Sequence, residues 1–126
     1  MKWDFVYLIA GAVLGVLIRY LITEEPIFLG SLPVSVLIVN ILGSFILGVS
    51  ATAVTSFGLD QRYTLLIGIG FCGTLTTMST FALETVNLMS VGRLLLAGAN
   101  IVVNVGASML AIIVARAIVL AIAGMV

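Results

Sequence analysis

The chain has 126 residues, of which 63% are hydrophobic and 8% charged, and its formal net charge is zero. A water-soluble domain carries about a quarter charged residues, so too little polar surface exists here to cover a water-facing globule; the solvent that tolerates this composition is lipid. The cations Lys2, Arg19, Arg62, Arg93 and Arg116 are spread along the chain, which leaves no basic patch for nucleic acid, and the lack of histidine beside a lone cysteine, Cys72, excludes an internal disulfide and a His/Cys zinc site.

Four apolar stretches follow in order, each near or above the roughly 20 residues that cross a bilayer. The first runs from about Asp4 to Ile22. Asp4 stands where a signal peptide would be positive, so this stretch is read as a retained helix. Thr23, Glu24, Glu25 and Pro26 interrupt it. The second runs from about Pro33 to Phe57, with Pro33 placed in a first helical turn. After Gly58-Leu59-Asp60-Gln61-Arg62 the third runs from Tyr63 to about Met89, and after Ser90 to Arg93 the fourth runs from Leu94 to about Ala123. The expected architecture is a single all-α transmembrane domain over residues 1–126, with helices at about 4–22, 33–57, 63–89 and 94–123 and antiparallel neighbours.

With four spans both termini lie on one side of the bilayer. That side holds Lys2, Arg62 and Arg116; the other holds Arg19 and Arg93. Orientation follows the Lys/Arg bias of short loops and span ends, and three against two is almost no bias. A chain inserting either way up and one fixed by weak signals both fit this count.

Polar residues inside spans face protein or water. Asn100, Asn104 and Ser108 recur every four residues along one face of the fourth span, and Asn40 and Ser44 share a face of the second. In the third, Thr77, Thr80 and Glu84 fall at helical spacing. Singly, such residues act as interhelical glue; three striped helices together argue for a water-accessible path. Arg19, near the end of the first span, either snorkels to headgroups or stands as a fixed positive charge drawing anions into a vestibule. Gly11 and Gly15 form a small-xxx-small pair, and Gly43 with Gly48 opens another close-approach face. The segment Gly70-Phe71-Cys72-Gly73-Thr74-Leu75-Thr76-Thr77-Met78-Ser79-Thr80-Phe81 lies mid-span. Its glycines are poor helix formers and its hydroxyls offer the backbone other partners, so the third helix is expected to unwind there. Irregular backbone at that depth persists only beside a cavity or within protein, and its freed carbonyls can ligate a cation.

In chain order, Gly11-x-x-x-Gly15-x-x-x-Arg19-Tyr20, Val39-Asn40-Ile41-Leu42-Gly43-Ser44-Phe45-x-x-Gly48 and Gly70-x-x-Gly73-Thr74-Leu75-Thr76-Thr77-Met78-Ser79-Thr80-Phe81-x-x-Glu84 resemble the Fluc (CrcB) family of fluoride channels. The resemblance implies a fluoride-selective channel of the cell inner membrane that exports fluoride passively, not an enzyme. It implies an antiparallel, dual-topology homodimer with two pores. It implies a structural sodium ion at the dimer interface, held by the Gly73 and Thr76 backbone carbonyls of each subunit. Asn40 would donate an amide N–H to fluoride, and Phe81 would turn its positive ring edge to the ion. Ser108 and Glu84 match family positions on a polar track, to which the residue pattern adds Asn104, Ser79 and Thr80, with Arg19 at the vestibule. Met78 departs from the family, which usually has a second pore Phe there, and Ile112 ends the track one turn after Ser108. The rival reading is a four-helix, dual-topology multidrug or cation antiporter. Such proteins rely on an acidic residue in the first helix, where this chain has only Asp4 at its start.

Overall fold

The computed structural model describes residues 3–125, so Lys2, used above in the charge count, lies outside the described residues. Four helical segments long and apolar enough to cross a bilayer carry the fold: Asp4–Thr23, Ser35–Phe57, Thr64–Ser90 and Leu94–Ile122. Helical backbone satisfies its own hydrogen bonds, which is what lipid demands, and only the interruption in the third span departs from this. Large apolar side chains such as Leu17, Leu95, Val102 and Ile122 point outward, as they do where the surroundings are hydrocarbon.

The second span begins at Ser35 rather than Pro33 because the preceding residues form a small ribbon. Phe28–Leu29 pairs antiparallel with Leu32–Pro33, the Val34 N–H donates to the Ile27 carbonyl at 2.8 Å, and the Ile27 N–H donates to Ser35 Oγ at 2.7 Å. Pro33, with no N–H, therefore ends a strand instead of opening a helix. The second span closes on Gly58 at φ 61°, the left-handed conformation that suits glycine just past a helix end.

Packing divides the bundle into two pairs. The first span lies chiefly on the first half of the third, and the second span lies chiefly on the fourth. The first pair meets at backbone distance: a Cβ on Gly11 would collide with the Leu66 carbonyl, and one on Gly15 with the Phe71 carbonyl and Thr74 Oγ1. The missing side chains are what let the two helices touch, the small-residue device of membrane bundles. Gly43 and Gly48 open toward different neighbours, Thr76 and Ala115 respectively.

The third span is not one helix. Residues Thr64–Cys72 form a π-helical stretch, a single α-turn Gly73–Leu75 follows, and an α-helix resumes at Met78–Ser90. Between them Thr76 (φ −77°, ψ 155°) and Thr77 (φ −148°, ψ 119°) are extended. The expected unwinding is present and is narrower than the whole Gly70–Phe81 segment. Two consecutive β-branched residues are stiff and poorly suited to a helix, and the Thr76 hydroxyl bonds the Cys72 carbonyl at 2.9 Å. The π-helical stretch before the break was not expected; its wider turn, closing i→i+5 bonds, uses the same residue types as an α-turn.

Candidate functional site

The two extended threonines strand their backbone groups at membrane depth, and side chains from two other spans take them up. The Thr77 N–H, which in an unbroken helix would bond the Gly73 carbonyl, donates instead to Asn40 Oδ1 at 2.8 Å. Asn40 Nδ2 donates to the Thr77 carbonyl at 3.3 Å, so one side-chain amide grips both polar groups of a single residue, as a neighbouring strand would. The same Nδ2 donates to Asn104 Oδ1 on the fourth span at 2.8 Å. Thr77 also restarts the helix: its Oγ1 accepts the Thr80 N–H at 3.2 Å, an N-cap bond, and shares contacts with the Ser79 and Thr80 hydroxyls.

Beside this junction lies a groove of about 390 Å³, walled by the second, third and fourth spans. Of the residues singled out in the sequence, Asn40, Met78, Phe81, Asn104 and Ser108 line it, together with Gly73 and Thr76. Phe81 is 6% exposed and Met78 72% exposed, so the two rings of the expected pair are represented by one buried aromatic and one outward thioether. The lining is mostly apolar with a few convergent polar groups, the usual make-up of a site for a small ligand.

Ser79, Thr80, Glu84 and Arg19 are not among the groove's lining residues. The Ser79 and Thr80 hydroxyls turn to the Thr77 cap. Glu84 is half-buried, and its Oε2 has no hydrogen-bond partner among the described residues. The polar stripe of the fourth span also separates by role. Asn100, 1% exposed, donates to Thr85 Oγ1 at 3.1 Å and acts as glue between the third and fourth spans; Asn104 and Ser108 reach the groove. Thr77, grouped by spacing with Thr80 and Glu84, precedes the helix that carries them.

Arg19 does not reach for headgroups. Its Nη1 donates to the Thr76 carbonyl at 3.3 Å, and the side chain is half-buried. A cationic donor thus sits on the carbonyl of the residue just before the one that Asn40 grips. Sequence reasoning left this direction open because the helical register of Arg19 is equally compatible with a reach outward along the span.

The Gly73 and Thr76 carbonyls suit a hard cation by donor type: both are neutral oxygens released from helical bonding by the extended residues that follow, as in interrupted membrane helices that bind Na⁺. Gly73 is exposed, and a Cβ there would meet nothing within 4 Å. One lone pair of the Thr76 oxygen already receives the Arg19 donor, leaving the other free. Two carbonyls do not enclose an ion, so a second set is needed to complete a shell.

One polar atom in the groove wall is unaccounted for. Asn104 is 4% exposed and its Nδ2 has no partner among the described residues. Leaving a buried donor unmatched costs about 1–3 kcal/mol, and native chains keep few such groups without a use for them.

Residues 6–116 match the family described as CrcB-like protein, Camphor Resistance (CrcB). Among curated relatives, the Fluoride-specific ion channel FluC of Nitrosopumilus maritimus is 49% identical over 110 residues, covering 87% of each chain. The protein of the same name from Methanocaldococcus jannaschii is 42% identical over 113 residues, covering 89% of this chain and 90% of that one. That of Shewanella pealeana is 40% identical over 105 residues, covering 82% and 85%.

Proposed function

Because the chain belongs to the CrcB-like family, we propose that it is a fluoride channel, a multi-pass protein of the plasma membrane that lets fluoride leave the cell down its electrochemical gradient. The relatives named above are fluoride-specific ion channels. The observation that carries the reading within this chain is the groove that gathers Asn40, Asn104, Ser108, Phe81 and Met78 around a broken helix. Fluoride is small and holds its water tightly, so a conducting path must offer replacements for that water. Amide and hydroxyl donors supply hydrogen bonds, and the ring edge of Phe81 supplies the positive end of an aromatic quadrupole. The methyl and polarizable sulfur of Met78 stand where a second ring is usual in the family. Arg19, held at the break, lends a positive potential that raises the local anion concentration. Ser79, Thr80 and Glu84 extend the polar side of the path beyond the groove.

The groove is open on one flank, and the carbonyls at its edge make half a shell. Both features favour a working unit of two copies, paired antiparallel in keeping with the near-even Lys/Arg distribution, with two paths along the dimer. The Gly73 and Thr76 carbonyls of both copies would hold a sodium ion between them. When bound, that ion supplies a fixed positive charge at the dimer centre. The chain's own part is to present the carbonyls, by keeping Thr76 and Thr77 extended through the Asn40 grip. The antiporter reading has no support of its own: the first span offers only Asp4, at its start, and the relatives are named as ion channels.

The test is passive fluoride release from loaded liposomes, followed with a fluoride-selective electrode. The expected result is rapid efflux once a potassium ionophore short-circuits the membrane potential, with no proton gradient imposed. Release no faster than from protein-free liposomes would end the reading.

A further inference from the structure

We propose that the end of the bundle where the first and third spans begin carries a binding site for a phospholipid head that has both a phosphate and a primary ammonium, the phosphoethanolamine type, held between Arg62 and Asp60. This goes beyond the channel reading and does not rest on it; it needs only that the chain spans a membrane.

The site is a second cavity, of about 240 Å³, lined by Tyr7, Asp60, Arg62, Tyr63 and Leu66. Its place in the fold sets its surroundings. Tyr7 lies near the start of the first span, and Asp60, Arg62 and Tyr63 lead into the third, which begins at Thr64. Antiparallel neighbours put both of these span ends on one side of the bundle, so the cavity lies at the level where lipid heads meet the protein. Trp3, four residues ahead of Tyr7, is 70% exposed and Tyr63 is 48% exposed; such aromatic residues mark the edge of a bilayer. Leu66, the third residue of the third span, gives the cavity an apolar floor where an acyl tail would begin.

Two opposite charges line this cavity without neutralising each other. The Arg62 backbone N–H donates to Asp60 Oδ1 at 2.8 Å, and the Tyr63 N–H donates to the Asp60 carbonyl at 3.0 Å. These bonds fix the turn through Oδ1 and the backbone, and Oδ2 can accept from a further donor. The Arg62 guanidinium lies over the Tyr7 ring, 5.6 Å from its centroid, within cation–π reach. Among the described residues no salt bridge joins Arg62 to Asp60, and no hydrogen bond takes the guanidinium N–H groups or the two phenols. A guanidinium placed on a ring keeps its fork of N–H donors for an oxyanion, and phosphate accepts that fork with two bonds. A phosphate alone would also meet the Asp60 carboxylate, and an ammonium alone would meet Arg62. A head that carries both groups suits both residues: phosphate on Arg62 and the phenolic O–H groups, ammonium on Asp60. Basic pockets between membrane helices take lipid heads; the acidic neighbour is what makes this one select a zwitterion with N–H donors.

The test is native mass spectrometry of the assembled protein, released from detergent micelles that hold equal amounts of phosphatidylethanolamine, phosphatidylcholine and phosphatidylglycerol with matched tails. The ammonium of phosphatidylcholine has no N–H, so the ethanolamine lipid should be retained roughly tenfold more than the choline lipid, the scale of one hydrogen bond to a charged group. Asp60→Asn keeps an oxygen that accepts the Arg62 N–H and removes the negative charge. In that variant the preference for ethanolamine should vanish, and phosphatidylglycerol should be retained at least as well. Arg62→Lys keeps the Lys/Arg balance of the loops but loses the planar fork, and retention of all three lipids should fall several fold. The site is overturned if the parent holds the choline lipid as well as the ethanolamine lipid, if Asp60→Asn keeps the parent's preference, or if Arg62→Lys retains as much lipid as the parent. Glycerophosphoethanolamine, the same head without tails, should not displace the lipid at equal concentration, because it makes no contact with Leu66 or the hydrocarbon beside it. Full displacement by it would show a site for a soluble phosphate ester and overturn the assignment to lipid.

Discussion

Phe81 is the residue whose replacement tests the proposed path most directly. It is buried in the groove wall, and isoleucine fills much of its volume without an aromatic edge. Phe81→Ile is therefore expected to lower fluoride efflux by roughly tenfold or more, a barrier rise of about 1.4 kcal/mol, while the protein still elutes as the parent does; unchanged efflux would take Phe81 out of the path. Thr76 makes the opposite prediction. The part assigned to it is its backbone carbonyl, and its hydroxyl bond to the Cys72 carbonyl is one that serine can also make. Thr76→Ser should conduct at close to the parent rate, and a collapse of flux would mean that the γ-methyl resting against Gly43 is required. At this scale the sequence was informative about residue type and poor about direction. Spacing put Asn104 and Ser108 on the face that reaches the groove, yet the same spacing included Asn100, which is occupied by Thr85. Nothing in a residue's position along a helix says whether Arg19 reaches inward, because that depends on a carbonyl fifty-seven residues away.

The third span shows what local composition can and cannot specify. Its break was legible because glycines and adjacent threonines disfavour helix. The location of the break to two residues was not, since Asn40 on another span is what stabilises the extended pair. The π-helical stretch Thr64–Cys72 was likewise illegible, and the ribbon ahead of the second span depends on a pairing of only two residues per strand. Such features arise from contacts with neighbours, which carry no periodic signature. The interface between the first and third spans gives the element-scale prediction. Gly11→Val would drive a branched side chain into the Leu66 carbonyl, a backbone atom that cannot swing aside. Overpacking of this kind costs typically about 1–3 kcal/mol, occasionally more. The expected outcome is a lower thermal aggregation temperature in detergent, and a variant as heat-stable as the parent would show that the two helices can part without loss.

For the molecule as a whole the number of spans was readable from composition, and the division into two helix pairs was not. Length and hydropathy count helices, but pairing follows from where glycines let backbones meet. The near-balance of cations fits insertion both ways up as well as one fixed orientation, and the antiparallel pairing proposed above requires the former, which has a direct check. Reporters fused to the C-terminus that work only inside or only outside the cell should both be active, and two or three arginines added to the loop between the first and second spans should silence one of them. A parent already restricted to a single side would rule out antiparallel pairing in the same bilayer. The groove's open flank, with Met78 72% exposed beside it, carries a further consequence. In a solitary chain acyl tails are the only neighbours available to cover that flank, and a hydrocarbon tail lying there would plug the route. Transport would then scale with the abundance of paired copies rather than of chains, so that spreading a fixed amount of protein over ever more phospholipid should lower the rate per chain wherever pairing is reversible.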